Sequence, residues 1–288
     1  GIYGTDGTAT NNGTITMTGA SVKGLVTDKT GSIVNAGTVA VTGKGAVGAA
    51  SLEGTITTTG GSITADGTSG ISLYTGGTVG GTINATGGTV EAKNGAINVF
   101  ADKGTINFKG ATIKTGANSL AFMKGNGTVD FTNPTTAYID TDGTAFYIPL
   151  ASAPSTVSYT PFTGIGSISG FNNLSNLTLN MSKNSNVAVV SYADAKVSDL
   201  GGATISGLGT ILGTDYNNYL LYKSQLTADS GTTYAQFKKV ALSNSAIINN
   251  TTLSTSDNNV NLMAQENTDT LAWVNLINNK TIELTGTN

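Results

Sequence analysis

The residues best placed to do chemistry are acidic. Asp140 and Asp142, followed by Gly143, look like the start of a calcium loop, because hard cations take several carboxylate oxygens at once. No third Asp and no Glu follow at loop spacing, so the segment reads as a turn between strands and no metal is expected. Polysaccharide lyases and hydrolases need converging carboxylates, often with a basic residue. Glu53, Glu91, Glu266 and Glu283 are dispersed, and only stacking of repeats would align some of them; Asp102 and Asp130 are about one repeat apart, but their local contexts differ. The chain has no His and no Cys, and all 14 basic residues are Lys, which removes imidazole, thiolate and guanidinium chemistry. The expectation is a protein that is not an enzyme and carries no cofactor, with a carbohydrate-active enzyme as the alternative.

Binding residues are a second possibility. Tyr216, Tyr219, Tyr222, Lys223, Tyr234, Phe237, Lys238 and Lys239 form the densest aromatic and basic group in the sequence. Tyr offers large contact area with a polar tip at low entropic cost, so Tyr216, Tyr219, Tyr222, Lys223 and Tyr234 are the candidate contacts. The competing reading packs the same rings in a small subdomain. Thr-x-Thr strings such as Thr14-Ile-Thr-Met-Thr18 raise ice binding, which needs one unbroken Thr array. Successive Gly-Thr units instead carry Ala40, Asn84, Asn107 and Asp130 at the second position, so a polar outer strand face is the simpler reading.

The elements that would position these residues are strands. Only 11% of residues are charged, the net charge is −3 and the pI is near 4.8, so no basic field is present to hold nucleic acid. The 39 Gly and abundant Thr suit disorder by composition, but their placing is periodic. Segments starting Gly-Thr recur at Gly13, Gly37, Gly54, Gly81, Gly104 and Gly127, spaced 24, 17, 27, 23 and 23 residues apart. The third residue of each is β-branched and apolar between mostly polar or small neighbours, so one strand side faces a core and the other faces water. Self-similarity at a period in the twenties marks a solenoid. Shorter strands between these units, such as Gly61-Ser-Ile-Thr-Ala65 and Gly70-Ile-Ser-Leu-Tyr74, predict two or three strands per coil, with Gly corners. The fold expected is all-β, a right-handed parallel β-helix with a small insertion or side subdomain. If every residue joined a coil of about 23, there would be about 12 coils at about 4.8 Å each.

Residues 1–150 hold 29 of the 39 Gly and form the regular coils. All four Pro, at 134, 149, 154 and 161, mark an irregular excursion, with less regular coils over 151–210. Residues 211–245 read as a protruding insertion. Within them, residues 215–223 predict either a helix capped by Asp215, with Tyr216, Tyr219, Leu220 and Lys223 on one face, or a strand. Alternation returns over 246–288. The ends carry no charged or Pro-rich cap, so the natural chain is expected to continue both ways.

Units such as Gly1-Ile-Tyr-Gly-Thr-Asp-Gly7 and Asn12-Gly-Thr-Ile-Thr-Met-Thr-Gly19, and the passage Ile168-Ser-Gly-Phe-Asn-Asn-Leu-Ser-Asn-Leu-Thr-Leu179, resemble the passenger of very large type V autotransporter adhesins, with the Lys-only, Asn-rich usage of fusobacterial members. The resemblance covers most of the chain through degenerate repeats. It implies a β-helix held outside the cell by a C-terminal outer-membrane barrel and attachment to a host or bacterial surface protein or glycan. No family motif assigns binding residues.

Overall fold

Short β-branched segments cut by Gly corners cannot bury an apolar face alone; they bury it by stacking on copies of themselves. They do so in the computed structural model, which describes residues 1–123, 125–149, 170–196, 209–228, 240–243, 245–249, 252–255 and 274–284. The first coil is β1 (Ile2–Gly4), β2 (Thr8–Asn11) and β3 (Thr14–Thr18), and the second is β4 (Lys23–Thr27), β5 (Ser32–Asn35) and β6 (Thr38–Thr42). The third is β7 (Val47–Ser51), β8 (Thr55–Thr58) and β9 (Ser62–Asp66), and the fourth is β10 (Ile71–Thr75), β11 (Thr82–Ala85) and β12 (Thr89–Lys93). The fifth is β13 (Ile97–Ala101), β14 (Thr105–Phe108) and β15 (Thr112–Thr115), and the sixth is β16 (Leu120–Met123), β17 (Thr128–Phe131) and β18 (Thr135–Ile139). Each position in the coil builds its own parallel sheet: β1-β4-β7-β10-β13-β16 in sheet A, β2-β5-β8-β11-β14-β17 in sheet B, β3-β6-β9-β12-β15-β18 in sheet C. Strands β19 (Thr144–Pro149), β20 (Phe171–Asn172) and β21 (Leu177–Met181) add one more to each. Strand β22 (Asn186–Lys196) follows, and β23 (Thr210–Leu212) extends sheet C. The protein is a β-solenoid, as its periodicity predicts.

The 17-residue spacing in the Gly-Thr series has a structural cause. The units at Gly13 and Gly37 open β3 and β6 of sheet C, whereas those at Gly54, Gly81, Gly104 and Gly127 open β8, β11, β14 and β17 of sheet B. The series therefore jumps between sheets. In register, Ile56 lies on Ile33, not on Val39, and Val39 lies on Ile63. The 27-residue spacing comes from a longer connection between β10 and β11, where Val79 is exposed.

Inside, residues stack like on like. Ile33, Ile56, Ile83, Ile106 and Val129 form one buried column in sheet B, and Val39, Ile63, Val90 and Ile113 form another in sheet C. A neighbouring column of sheet B changes character along the stack: Asn11, Asn35, Thr58, Ala85, Phe108, Phe131. At its polar end the Asn11 amide donates to Asn35 Oδ1 at 2.7 Å, and the Asn35 amide donates to the Gly37 carbonyl at 3.1 Å. The later coils are filled by rings. Phe108 stacks on Phe131 (5.5 Å) and Phe122 on Phe146 (5.1 Å), while Phe122 meets Phe131 and Phe171 edge to face at 5.4 and 6.0 Å. Alternating stacked and edge contacts satisfy the ring quadrupoles, each pair adding about 0.5–1.5 kcal/mol beyond burial.

Glycine at the corners answers to space as much as to dihedral angle. A Cβ on Gly37 would overlap the Gly13 carbonyl oxygen one coil away, although Gly37 is not in the left-handed region. That closeness lets the Thr38 amide reach the Gly13 carbonyl at 2.9 Å. Gly37→Ala is expected to destabilise by about 1–3 kcal/mol, because the coils cannot close without overlap. Gly13 has open space at its Cβ, so Gly13→Ala is expected to be neutral or mildly stabilising. Urea unfolding of the two variants side by side checks this.

A second compact unit comprises Ile148–Ile168, Val187–Ser206 and Asn217–Asn288. Within it, β24 (Asn217–Ala228) pairs in parallel with β25 (Val240–Ser243) and with β26 (Ser245–Asn249). Strand β27 (Leu253–Thr255) pairs with β29 (Ile282–Leu284), and β28 (Val274–Asn278) pairs with β26. The buried Asn249 donates its amide to Asn278 Oδ1 at 2.8 Å, repeating the Asn ladder of the first coils. The helix entertained for residues 215–223 is not formed: Asp215 is a left-handed corner residue (φ 60°) and Asn217 opens a strand. The helical pattern loses because the position is the corner of a coil, where a short polar side chain tolerates positive φ.

Candidate functional site

In a strand, alternate side chains face opposite sides, so the outer face of sheet C is read from registered columns. One column is all hydroxyl through β15: Thr14, Thr38, Ser62, Thr89 and Thr112. Beside it runs Thr16, Ala40, Thr64, Glu91, Lys114, Tyr138, Asn180 and Leu212, a second column that starts small and polar and becomes charged and aromatic from β12 onward. Here a groove of about 740 Å³ lies over β12, β15, β18 and β21, within the size range of small-molecule sites. Glu91, Lys114, Tyr138 and Asn180 cross it, Thr89 and Thr112 flank it, and Asp140 and Ser182 bound it where the chain turns toward sheet A.

Tyr138 is 46% exposed although the residues on either side of it, Ala137 and Ile139, are buried. Strand alternation forces that outcome: β18 sends Ala137 and Ile139 to the core and Thr136 and Tyr138 to water. Lys114 is likewise presented by β15 between the buried Ile113 and Thr115. Glu91 is held in place by Lys93, at 3.1 Å, and by the Thr64 hydroxyl, which donates to Glu91 Oε2 at 3.3 Å. The ion pair is partly exposed, so it orients Glu91 more than it stabilises the fold.

The turn that bounds the groove is built from the acidic pair. Asp140 Oδ1 accepts from the Thr141 amide at 2.8 Å, the Gly143 amide donates to the Asp140 carbonyl at 2.8 Å, and Asp142 takes φ 60°. The turn role read from Asp140, Asp142 and Gly143 is what these bonds carry out. Ser21, Ser69, Asn118, Asn184 and Asp215 adopt positive φ at the matching corner of other coils, with the Asn118 amide donating to the Asp142 carbonyl at 3.2 Å.

Asp102 and Asp130, about one repeat apart in the sequence, are not brought together, in line with their differing local contexts. Asp102 follows β13 of sheet A, whereas Asp130 lies in β17 of sheet B, beside Asn107 and Asn172, and accepts the Asn173 amide at 2.7 Å. Among the described residues no three carboxylates gather. Two phenols among the described residues are perturbed. Burial, then the Asp102 charge, pushes Tyr74 up; desolvation, then the hydrogen bond to Asp28 at 3.2 Å, pushes Tyr3 up. Both move further from neutrality, which is unsuited to proton transfer near pH 7.

Of the sequence-derived binding residues, Tyr216 is half-buried at the corner after β23. Tyr219, Tyr222 and Lys223 lie in β24, where Tyr219 pairs with Val240 and Tyr222 with Ser243. Tyr234, with Phe237, Lys238 and Lys239, lies outside the described residues. A strand does not collect positions 216, 219 and 223 on one face as a helix would. Tyr138 was missed in the sequence. The signal for it was the spacing of Glu91, Lys114 and Tyr138, 23 and 24 residues apart, which equals the coil period. The Thr array is interrupted too: in register one outward column of sheet B runs Thr10, Val34, Thr57, Asn84, Asn107, Asp130, so Asn84, Asn107 and Asp130 break it as expected and Val34 joins them, while Ala40 lies in sheet C.

No protein-family model, curated protein or solved structure matches this chain. The class defined on these observations is a β-solenoid with a polar, aromatic-bearing groove on one sheet.

Proposed function

We propose that this chain is an extracellular structural and adhesive segment, a piece of the passenger of a large type V autotransporter adhesin, which mediates or supports attachment to host cells or other bacteria. The observation that carries the reading is a stack of coils in which apolar columns face inward while outward columns present ranked hydroxyl, amide, charged and aromatic groups in fixed register. Such a scaffold lengthens by adding coils, each stabilised by its neighbours, and needs no disulfide, which matches a chain without Cys. In this reading an outer-membrane barrel outside this sequence holds it at the cell surface. Its partner is a surface protein or glycan, and it performs no catalysis.

Beads coated with the protein should attach to epithelial or bacterial cells in a dose-dependent, saturable way. Attachment no greater than that of uncoated beads at every coating density would end the adhesive reading, and cleavage of polysaccharides by purified protein would replace it with an enzyme. Changing Tyr216, Tyr219 and Tyr222 together to Ser should weaken attachment with unchanged circular dichroism; unchanged attachment would remove these residues as contacts.

A further inference from the structure

We infer that the groove on sheet C binds an uncharged, hydroxyl-rich glycan chain, with the Tyr138 ring as its stacking platform; this rests on the adhesive reading and names the ligand of that function. Four features of the groove converge on this ligand. The first is the ring itself. An aromatic side chain half exposed in a row of polar groups offers a flat apolar face with polar groups close by, which suits the axial C–H face of a sugar. The second is the balance of donors and acceptors. Lys114 only donates, Glu91 and Asp140 only accept while ionised, and Asn180, Thr112 and Ser182 do both, so the lining complements hydroxyls, which both donate and accept.

Charge is the third feature. Glu91 and Asp140 are balanced by Lys114 and by Lys93, which pairs with Glu91, so the groove carries no excess charge with which to select a polyanion or a polycation. A protein partner is disfavoured because binding hot spots want a desolvated apolar centre, and here one ring stands among polar groups. Rigidity is the fourth. Glu91, Lys114, Tyr138 and Asn180 stand on adjacent hydrogen-bonded strands at steps of about 4.8 Å, so the backbone that carries them is ordered before binding and an extended chain meets them in order.

The test is titration calorimetry of the full 288-residue chain with neutral oligomers of glucose, galactose and N-acetylglucosamine, and with heparin as the anionic probe. At least one neutral oligomer should bind saturably and more tightly than heparin. Tyr138→Ala should weaken that binding at least tenfold with an unchanged melting curve, Tyr138→Phe should retain it, and Asn180→Ala should weaken it less than Tyr138→Ala. No binding by any neutral oligomer, preference for heparin, or full affinity in Tyr138→Ala overturns the inference. The bead assay separates the two readings: attachment that persists in Tyr138→Ala removes this site but leaves adhesion, whereas glycan binding without cell attachment leaves the site and removes adhesion.

Discussion

Ile83→Asp is expected to unfold the coil region or to destabilise it by more than about 4 kcal/mol at neutral pH, the extreme of single-residue effects. Ile83 is fully buried in the middle of the column, between Ile56 and Ile106, with no polar atom of its own to offer a partner. A carboxylate there loses its hydration and gains no cation, so burial raises its pKa in the folded state above that of the unfolded chain. The sign of the pH dependence follows. Below the unfolded pKa the group is protonated in both states, and the penalty is that of a neutral polar group and lost methyl packing. As pH rises above the unfolded value, the unfolded chain releases the proton more readily, so stability falls until the folded pKa is passed. Urea unfolding between pH 3.5 and 7 should therefore show Ile83→Asp losing stability relative to Ile83→Val with rising pH. The Val variant should cost only about 0.5–1.5 kcal/mol at any pH. Equal effects of the two variants at pH 7 would mean that the column is wet.

Phe122→Ala is expected to cost about 3–5 kcal/mol, the range for buried rings. Phe122 is fully buried and central among the rings, stacked on Phe146 and edge-on to Phe108, Phe131 and Phe171. Its removal leaves a hole lined by four other aromatic side chains that cannot collapse without leaving their own stacks. Phe122→Leu, which keeps most of the volume, should cost clearly less. Since each coil rests on its neighbours, the loss should appear first as exposure of the fifth and sixth coils to hydrogen exchange, with the early coils protected longer. Uniform exposure of all coils at once would show that the stack melts as one unit.

Much of this architecture was legible because a solenoid writes its contacts as a period. The β-branched third residue of the Gly-Thr units predicted the core, and Val39, Ile56, Ile83, Ile106 and Val129 are all buried. The groove was harder to see. Tyr138 is one of ten Tyr in the chain and no local pattern distinguishes it, whereas the crowded residues near 216–239 drew attention by density. Density along the chain is not proximity in space when neighbouring positions in a strand face opposite sides, and Asp215 shows the same limit. Its letters suit a helix cap, but the same short carboxylate suits a left-handed corner, and only the coil preceding it selects between them.

What the sequence by itself determined is the kind of protein: alternation set the inward and outward faces, glycine spacing set the corners, and the missing His, Cys and Arg set limits on its chemistry. What only the tertiary structure decided is the register. Two Gly-Thr units in different sheets look alike as letters, and stacking alone tells that Ile56 rests on Ile33 rather than Val39. The physical reason is that a coil's strands share one local propensity, while their pairing is chosen by hydrogen bonds and packing between residues a full coil apart. The same choice sets Glu91, Lys114, Tyr138 and Asn180 side by side, and so turns four scattered residues into a surface.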